Sequence, residues 1–379
     1  MNRFTIPLAT LCLVAPAFAD DSADAIRALQ SVGEHATGAA EARTALQTLK
    51  QGGAANLLPV LKAFNGSSKL AANWLRSTFE AIADTEQKAG RGLPKGDLLA
   101  FVKDTSESPS ARRLAFEWLL KRSPQLEDEL IPGMLLDPSP DFRRDAVKRL
   151  IDQAAAANAD AAVALYAKAM TGAVHEDQVK TIAKALKDAG EEVNISRHFG
   201  FLTKWKIIGP FDNKDQKGFP VVYPPETKLD LTAEYDGQLG KVKWESIATD
   251  DDYGVLDIGK QIENYKGSLM YTTTTWQSEK DQAVEIRLGT PNAWKLWVNG
   301  ALMFEREEYH RGTRLDQYKV PVSLKAGQNT ILVKICQNEQ EQDWAQDYQF
   351  QLRVCDRTGA AVLPVTQAAA NNTPRKEIR

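Results

Sequence analysis

One stretch constrains this chain more than any other: Ala293–Cys336, AWKLWVNGALMFEREEYHRGTRLDQYKVPVSLKAGQNTILVKIC. Lys295–Val298 alternates polar and apolar residues, and Asn299-Gly300 follows with two residues that tolerate positive φ. That order predicts a tight hairpin of the I′ kind, because its backbone twist matches that of the flanking strands. The chain returns as Ala301–Phe304. A charged loop then leads to Leu315–Leu324, a turn at Lys325-Ala326-Gly327-Gln328, and a strand over Asn329–Cys336.

Composition changes at Gly200, where aromatic and β-branched residues rise. Further strands are predicted at Lys204–Ile208, Lys243–Ile247, Val255–Ile258, Ser268–Trp276, Ala283–Leu288 and Tyr348–Cys355. Short strands at such regular spacing argue for a sandwich of two antiparallel sheets. Alternation sends Val284, Ile286, Leu288, Leu296, Val298, Ile331, Val333, Ile335, Phe350, Leu352 and Val354 inward. The other face carries Glu285, Arg287, Lys295, Trp297, Leu332, Lys334, Gln351 and Arg353. Trp297 and Leu332 among these charges need a cover. A packed helical domain is the preferred reading and a ligand the other.

The string KLWVNG, followed at this distance by VSLKAGQNTILVKI, resembles the jelly-roll modules of the galactose-binding-like superfamily, over roughly Phe201–Asp356. WKIIGPFDN with GFPVVYPPE is similar to a lead-in of secreted bacterial proteins that carry this module. The resemblance implies a β-sandwich. It does not imply one activity, since modules of this kind accompany glycoside hydrolases and many other secreted enzymes.

Residues 20–198 read as helix pairs. The pairs are Asn56–Phe64 with Leu70–Ala83, Gly96–Lys103 with Ser110–Lys121, Glu127–Leu136 with Asp141–Gln153, and Ala159–Met170 with Asp177–Ala189. SPSARRLAFEWLLKR and SPDFRRDAVKRLID match one another. A period of about 30–40 residues indicates an α-solenoid, and the pattern resembles HEAT repeats. Ser22–Gly53 is expected to add one or two capping helices. Such a stack is either a protein-binding arm or a plain scaffold. Arg112-Arg113 and Arg143-Arg144 stand at equivalent places, and a solvated, ion-paired face is preferred to a basic ridge for an acidic partner.

Residues 1–19 have the form of a secretory signal peptide: Arg3, an apolar run, then Ala17-Phe18-Ala19. A periplasmic or extracellular protein is therefore expected. No later apolar run approaches the ~18 residues needed to span a bilayer. A net charge of −3 gives nucleic acid no attraction. Cys336 and Cys355 are not expected to bridge, since a simple hairpin holds their Cα atoms too far apart. The polar residues 363–379 are expected to form a disordered tail.

No catalytic signature is present: no G-x-S-x-G, P-loop or C-x-x-C, and four isolated histidines. Asp250-Asp251-Asp252 could face calcium, which modules of the resembled kind often hold, but a solvated turn is preferred. Glu305, Glu307 and Glu308 lack the held second carboxylate that glycoside hydrolysis needs. No metal or other cofactor is expected. The candidate ligand residues are Tyr309, His310, Arg311, Arg314 and Asp316, with Trp344 from the next loop. Aromatic surfaces beside forked donors suit sugar rings. A loop held in shape by its own ion pairs stands equally for Arg311, Arg314 and Asp316, and for Trp344 packing is the preferred reading.

The expectation is thus a two-domain protein. An α-solenoid at 20–198 precedes a β-sandwich at 200–362. The reading is non-catalytic, with carbohydrate as ligand and a protein partner on the solenoid. A structural or assembly protein without a small ligand is the alternative, and a hydrolase with a site between the domains is a third.

Overall fold

The computed structural model describes residues 17–365. The leader expected at 1–19 lies outside them up to residue 16, and the tail expected at 363–379 lies outside them from residue 366. The chain divides into two compact units, Met1–Ala146 and Val147–Arg379. Helices fill the N-terminal half and antiparallel sheets the C-terminal half. The composition change at Gly200 falls inside the second unit.

Among the described residues the first unit holds helices and no strand. It contains α1 (Ala17–Gln30), α2 (Ala39–Gln51), α3 (Leu57–Lys62), α4 (Lys69–Lys88), α5 (Lys95–Lys103), α6 (Pro109–Leu120), α7 (Leu126–Leu130) and the start of α8 (Pro140–Ala155). The helices lie where apolar spacing placed them. Ser68 opens α4 by accepting the Ala71 N–H on its Oγ at 3.1 Å, and Pro109 takes the first turn of α6. Leu49, Leu57, Leu75, Phe79, Leu114 and Phe142 share one core.

The paired arginines depart from expectation. Arg112 is fully buried and forks onto Asp137, both bonds 2.8 Å, while its Nε donates to the Val102 carbonyl at 2.8 Å. Its guanidinium also lies over the Phe142 ring. Arg143, also buried, donates from Nε to the Asp137 carbonyl at 3.1 Å. Arg113 and Arg144 are nearer solvent, and Arg113 pairs with Glu117 and Asp145. Arg112 and its match Arg143 therefore fix α6 and α8, respectively, to the turn at Asp137. Guanidinium can be buried this way because its fork satisfies several acceptors at once.

The second unit holds α9 (Ala159–Gly172), α10 (Glu176–Asp188) and α11 (Ile195–Phe199), then two main sheets. The strands are β1 (Lys204–Asp212), β2 (Glu234–Gly237), β3 (Gly240–Lys243), β4 (Glu245–Ala248), β5 (Leu256–Asp257), β6 (Ser268–Ser278), β7 (Gln282–Gly289), β8 (Ala293–Val298), β9 (Ala301–Arg306), β10 (Tyr318–Leu324), β11 (Gly327–Gln337) and β12 (Gln349–Cys355). One sheet runs β4-β1-β6-β11-β8-β9, a second β10-β7-β12-β5, and β2-β3 is a separate hairpin. Asn299 and Gly300 have φ of 51° and 79°, the positive pair that a I′ turn requires. Asn299 also accepts the Thr330 N–H at 2.9 Å and donates to Asn329 at 2.8 Å, which pins β8-β9 to β11.

All eleven residues predicted to point inward enter one core cluster drawn from both sheets. The outward residues are covered, but not by a separate helical domain. On the six-stranded sheet, Trp297 and Leu332 pack with Phe219, Trp244 and Tyr271, with Tyr223 and Leu229 at the margin. The cover is the chain's own excursion between β1 and β4. It includes α12 (Pro224–Thr227) and β2-β3, and no periodicity announced it. Lys334 holds it down: buried Nζ donates to Phe219 O (2.9 Å), Val221 O (2.8 Å) and Glu226 Oε1 (2.9 Å). The Tyr271 hydroxyl donates to the same carboxylate. Burial lowers the Lys334 pKa, against the opposing pull of its neighbours Cys336 and Glu226.

The four-stranded sheet is covered on its outer face by α11 and by residues 356–361. Arg353 donates to Phe199 O (3.1 Å) and Gly359 O (2.9 Å). Gly200, at φ 76°, sits where a Cβ would meet the Val354 carbonyl at 2.8 Å, so the chain can turn here only without a side chain. Cys336 and Cys355 are both free and buried. They stand on different sheets, and burial pushes their thiols up to about 12 and about 11.

Candidate functional site

Two loops meet at one end of the six-stranded sheet: residues 307–317 after β9 and 338–348 after β11. The second is anchored from beneath. Ala345 is fully buried, and its carbonyl accepts Lys266 Nζ at 2.9 Å and Gln337 Nε2 at 3.3 Å. Asn264 Nδ2 donates to the neighbouring Gln346 carbonyl at 2.7 Å. A single 3₁₀ turn, Asp343–Ala345, lifts Trp344 off this base and leaves it 62% exposed. Burial was the preferred reading of this tryptophan, and the anchored turn is the reason it is not buried.

His310 is the neighbour of Trp344, ring edge to ring face at 5.2 Å between centroids. Its backbone is left-handed, φ 59°. Its Nε2 lies 2.7 Å from Asn338 Oδ1. Asn338 Nδ2 donates to Gln340 at 2.9 Å, so Oδ1 faces the histidine and Nε2 carries the proton. Tyr309 is half-buried on the outer-face cluster, and its hydroxyl accepts from Asn213 Nδ2 at 3.2 Å. Burial, first of all, raises the Tyr309 pKa. Beside these residues an open depression of about 620 Å³ is lined by Gln216, Asn338, Glu339 and Gln340.

The remaining sequence candidates divide. Arg311 stays exposed at the margin, 3.5 Å from Glu308, which also takes Arg306 at 2.6 Å. Arg314 is exposed. Asp316 points to the four-stranded sheet instead. It accepts Arg353 Nε and Nη2 at 2.7 Å each and Arg287 Nη1 at 2.6 Å. Burial works against its ionisation, yet Arg353 and Arg287 outweigh it and hold the carboxyl below the usual range. Its carboxylate is committed to the fold. Asn338 and Gln340 were not singled out from sequence, because amides in a polar loop carry no spacing signal.

The acidic candidates are engaged too. Glu305 pairs with Lys295 at 2.9 Å. Asp251 Oδ1 closes its own turn by accepting the N–H groups of Tyr253 (2.8 Å) and Val255 (3.1 Å). Asp252 pairs with Lys187 at 3.0 Å. Among the described residues no three His, Cys, Asp or Glu side chains converge. What the loops assemble is one exposed aromatic plate with imidazole, amide and guanidinium groups around it.

No protein-family model matches this sequence, and no curated protein does. Among solved structures, a β-glucosidase from Kluyveromyces marxianus in complex with glucose is similar over 44% of this chain and 17% of its own, with 9% identity and a TM-score of 0.26. A selenomethionine-labelled structure of that β-glucosidase gives 12% identity and 0.25 over 44% and 18%. A GH31 α-xylosidase from Xanthomonas citri gives 12% identity and 0.19 over 41% and 16%. This chain thus spans about a sixth of those glycosidases' length, and at such scores the likeness carries no argument.

Proposed function

We propose that this chain is an exported, non-catalytic binding protein, periplasmic or extracellular. Its C-terminal sheets form a jelly-roll sandwich of the galactose-binding-like kind. Its helix pairs form a HEAT-like α-solenoid that serves as a protein-interaction scaffold. The ligand is a carbohydrate or glycosylated surface, taken at Trp344 with His310, Tyr309 and Arg311. Asp316 is reassigned to holding the loop, and Arg314 has no part.

The observation that carries this reading is Trp344, 62% exposed on a turn whose next residue is fully buried. Exposed large aromatics with polar surroundings mark contact surfaces. A sugar ring offers a C–H face to stack on the indole and hydroxyls for His310, Asn338 and Gln340. A glycan array probed with the full protein tests it. Trp344→Ala should weaken the strongest glycan by about thirtyfold, near 2 kcal/mol, with an unchanged melting temperature. Binding that survives the substitution would move the site, and a wild-type protein that binds no glycan would leave the structural role.

A further inference from the structure

The excursion between β1 and β4 covers only part of the six-stranded sheet. Beyond Leu332 the outward positions are polar apart from Ala248. Ser246, Lys206 and Thr273 form one row across β4, β1 and β6, and Ala248 and Lys204 begin the next, with Thr275 opposite Thr330. Leu229 and Leu231 of the excursion border these rows, Leu231 45% exposed. Together they bound a cavity of about 600 Å³. That volume is within the roughly 300–1,000 Å³ of small-molecule sites.

Its charge is one-sided. Lys204 and Lys206 are exposed on the same face of β1, two residues and therefore about 7 Å apart. Lys206 donates from Nζ to Ser246 Oγ at 2.7 Å. Neither lysine meets a carboxylate among the described residues, and Glu245, the nearest acid on β4, lies in register with inward-facing Ile207. Lysine stems and leucines supply apolar walls, while two ammonium heads lack a counter-charge.

We propose that this groove binds an amphipathic anion: a small molecule with one carboxylate or sulfonate and an apolar body. The anionic head lies between Lys204 and Lys206, with Thr275 and Ser246 hydroxyls in reach, and the body lies along Leu229 and Leu231. The site is distinct from the Trp344 surface. Ser268 of β6 pairs with Gln337 near that surface, and Thr275 is seven residues further along, about 23 Å at the rise of a strand. The proposal does not depend on the sugar reading.

Calorimetric titration of the full protein with decanoate tests it, with octyl glucoside as an uncharged amphiphile and galacturonate as a polar anion. Decanoate should saturate at one site and weaken as salt is raised. Lys204→Glu with Lys206→Glu should weaken it at least tenfold. Lys204→Arg with Lys206→Arg should retain it, and Trp344→Ala should not change it. Leu231→Asp should also weaken it, and melting temperatures check that each variant is folded. Octyl glucoside binding to the Trp344→Ala variant as tightly as decanoate would overturn the role of the lysines. Galacturonate binding that persists in Trp344→Ala, is lost in the double glutamate variant and is not displaced by decanoate would assign the groove to acidic sugars and overturn the amphiphile. Absence of saturable decanoate binding, or equal affinity in the folded glutamate variant, would overturn the site altogether.

Discussion

Asp316→Asn separates a loop-holding carboxylate from a ligand-binding one. Asp316 has φ 57°, and asparagine tolerates that conformation as well as aspartate does, so the substitution removes charge without backbone strain. It strips a shared carboxylate from Arg353, whose side chain is 1% exposed, and Arg287, 6% exposed. Removing one partner of a buried ion pair costs about 3–5 kcal/mol. Arg353 keeps two carbonyls and Arg287 keeps Glu285 at 2.6 Å, which places the cost near the lower end, about 3 kcal/mol. Urea unfolding followed by tryptophan fluorescence reads it, since six of the eight tryptophans lie in the unit that contains this network. With a slope of about 2 kcal/mol per molar, the midpoint should fall by about 1.5 M at pH 7. The pH dependence supplies the second arm. The folded carboxyl sits below its unfolded value of about 3.9, so its contribution is present above that pH and lost as pH falls toward the folded value. The wild-type and Asn curves should therefore converge below about pH 4. A variant within about 0.5 kcal/mol of wild type at pH 7, or curves that stay parallel into acid, would refute the reasoning.

Gly300→Val forces a β-branched residue to φ 79° and should cost about 1–3 kcal/mol, read as a lower melting temperature. Asp137→Ala leaves Arg112 buried without its fork and should cost about 3–4 kcal/mol; Arg112→Met with Asp137→Leu should cost less than the two single changes summed. A chain begun at Val147 should melt higher than one begun at Gly200, which lacks the Phe199 ring under Arg353 and the carbonyl that Arg353 bonds. Equal melting temperatures for those two fragments would make the composition change a true folding boundary.

Features set by local periodicity were legible in the sequence. Alternation of two assigned eleven inward residues of β7, β8, β11 and β12, though not Trp294 of β8, because a strand cannot present neighbours to the same face. Helical spacing located the paired helices α3 to α10 to within a few residues at most ends, with α4 running on to Lys88 and α7 ending short at Leu130. Asn299-Gly300 specified its turn because few other residues accept two successive positive φ angles. Arg112 and Arg143 were misread because a cation in an amphipathic helix usually marks the wet face. Arg112 reverses this with a partner, Asp137, that sits in a turn and carries no periodicity.

What alternation cannot say is what lies over a face. Trp297 and Leu332 were rightly seen to need a cover, yet the residues that supply it, Phe219, Tyr223, Leu229 and Trp244, follow no common period. Their position is enforced by Lys334 bonding two backbone carbonyls, and any residue at 219 or 221 could offer a carbonyl. The same limit governs the candidate sites. Trp344 is exposed because Ala345, one residue on, is clamped by Lys266 and Gln337, so its accessibility is a property of its neighbours' bonds. Lys204 and Lys206 face an open groove because the excursion borders them at Leu229 and Leu231 without covering them. Sequence patterns in this chain therefore name the faces, while the non-periodic segments decide which parts of those faces stay open.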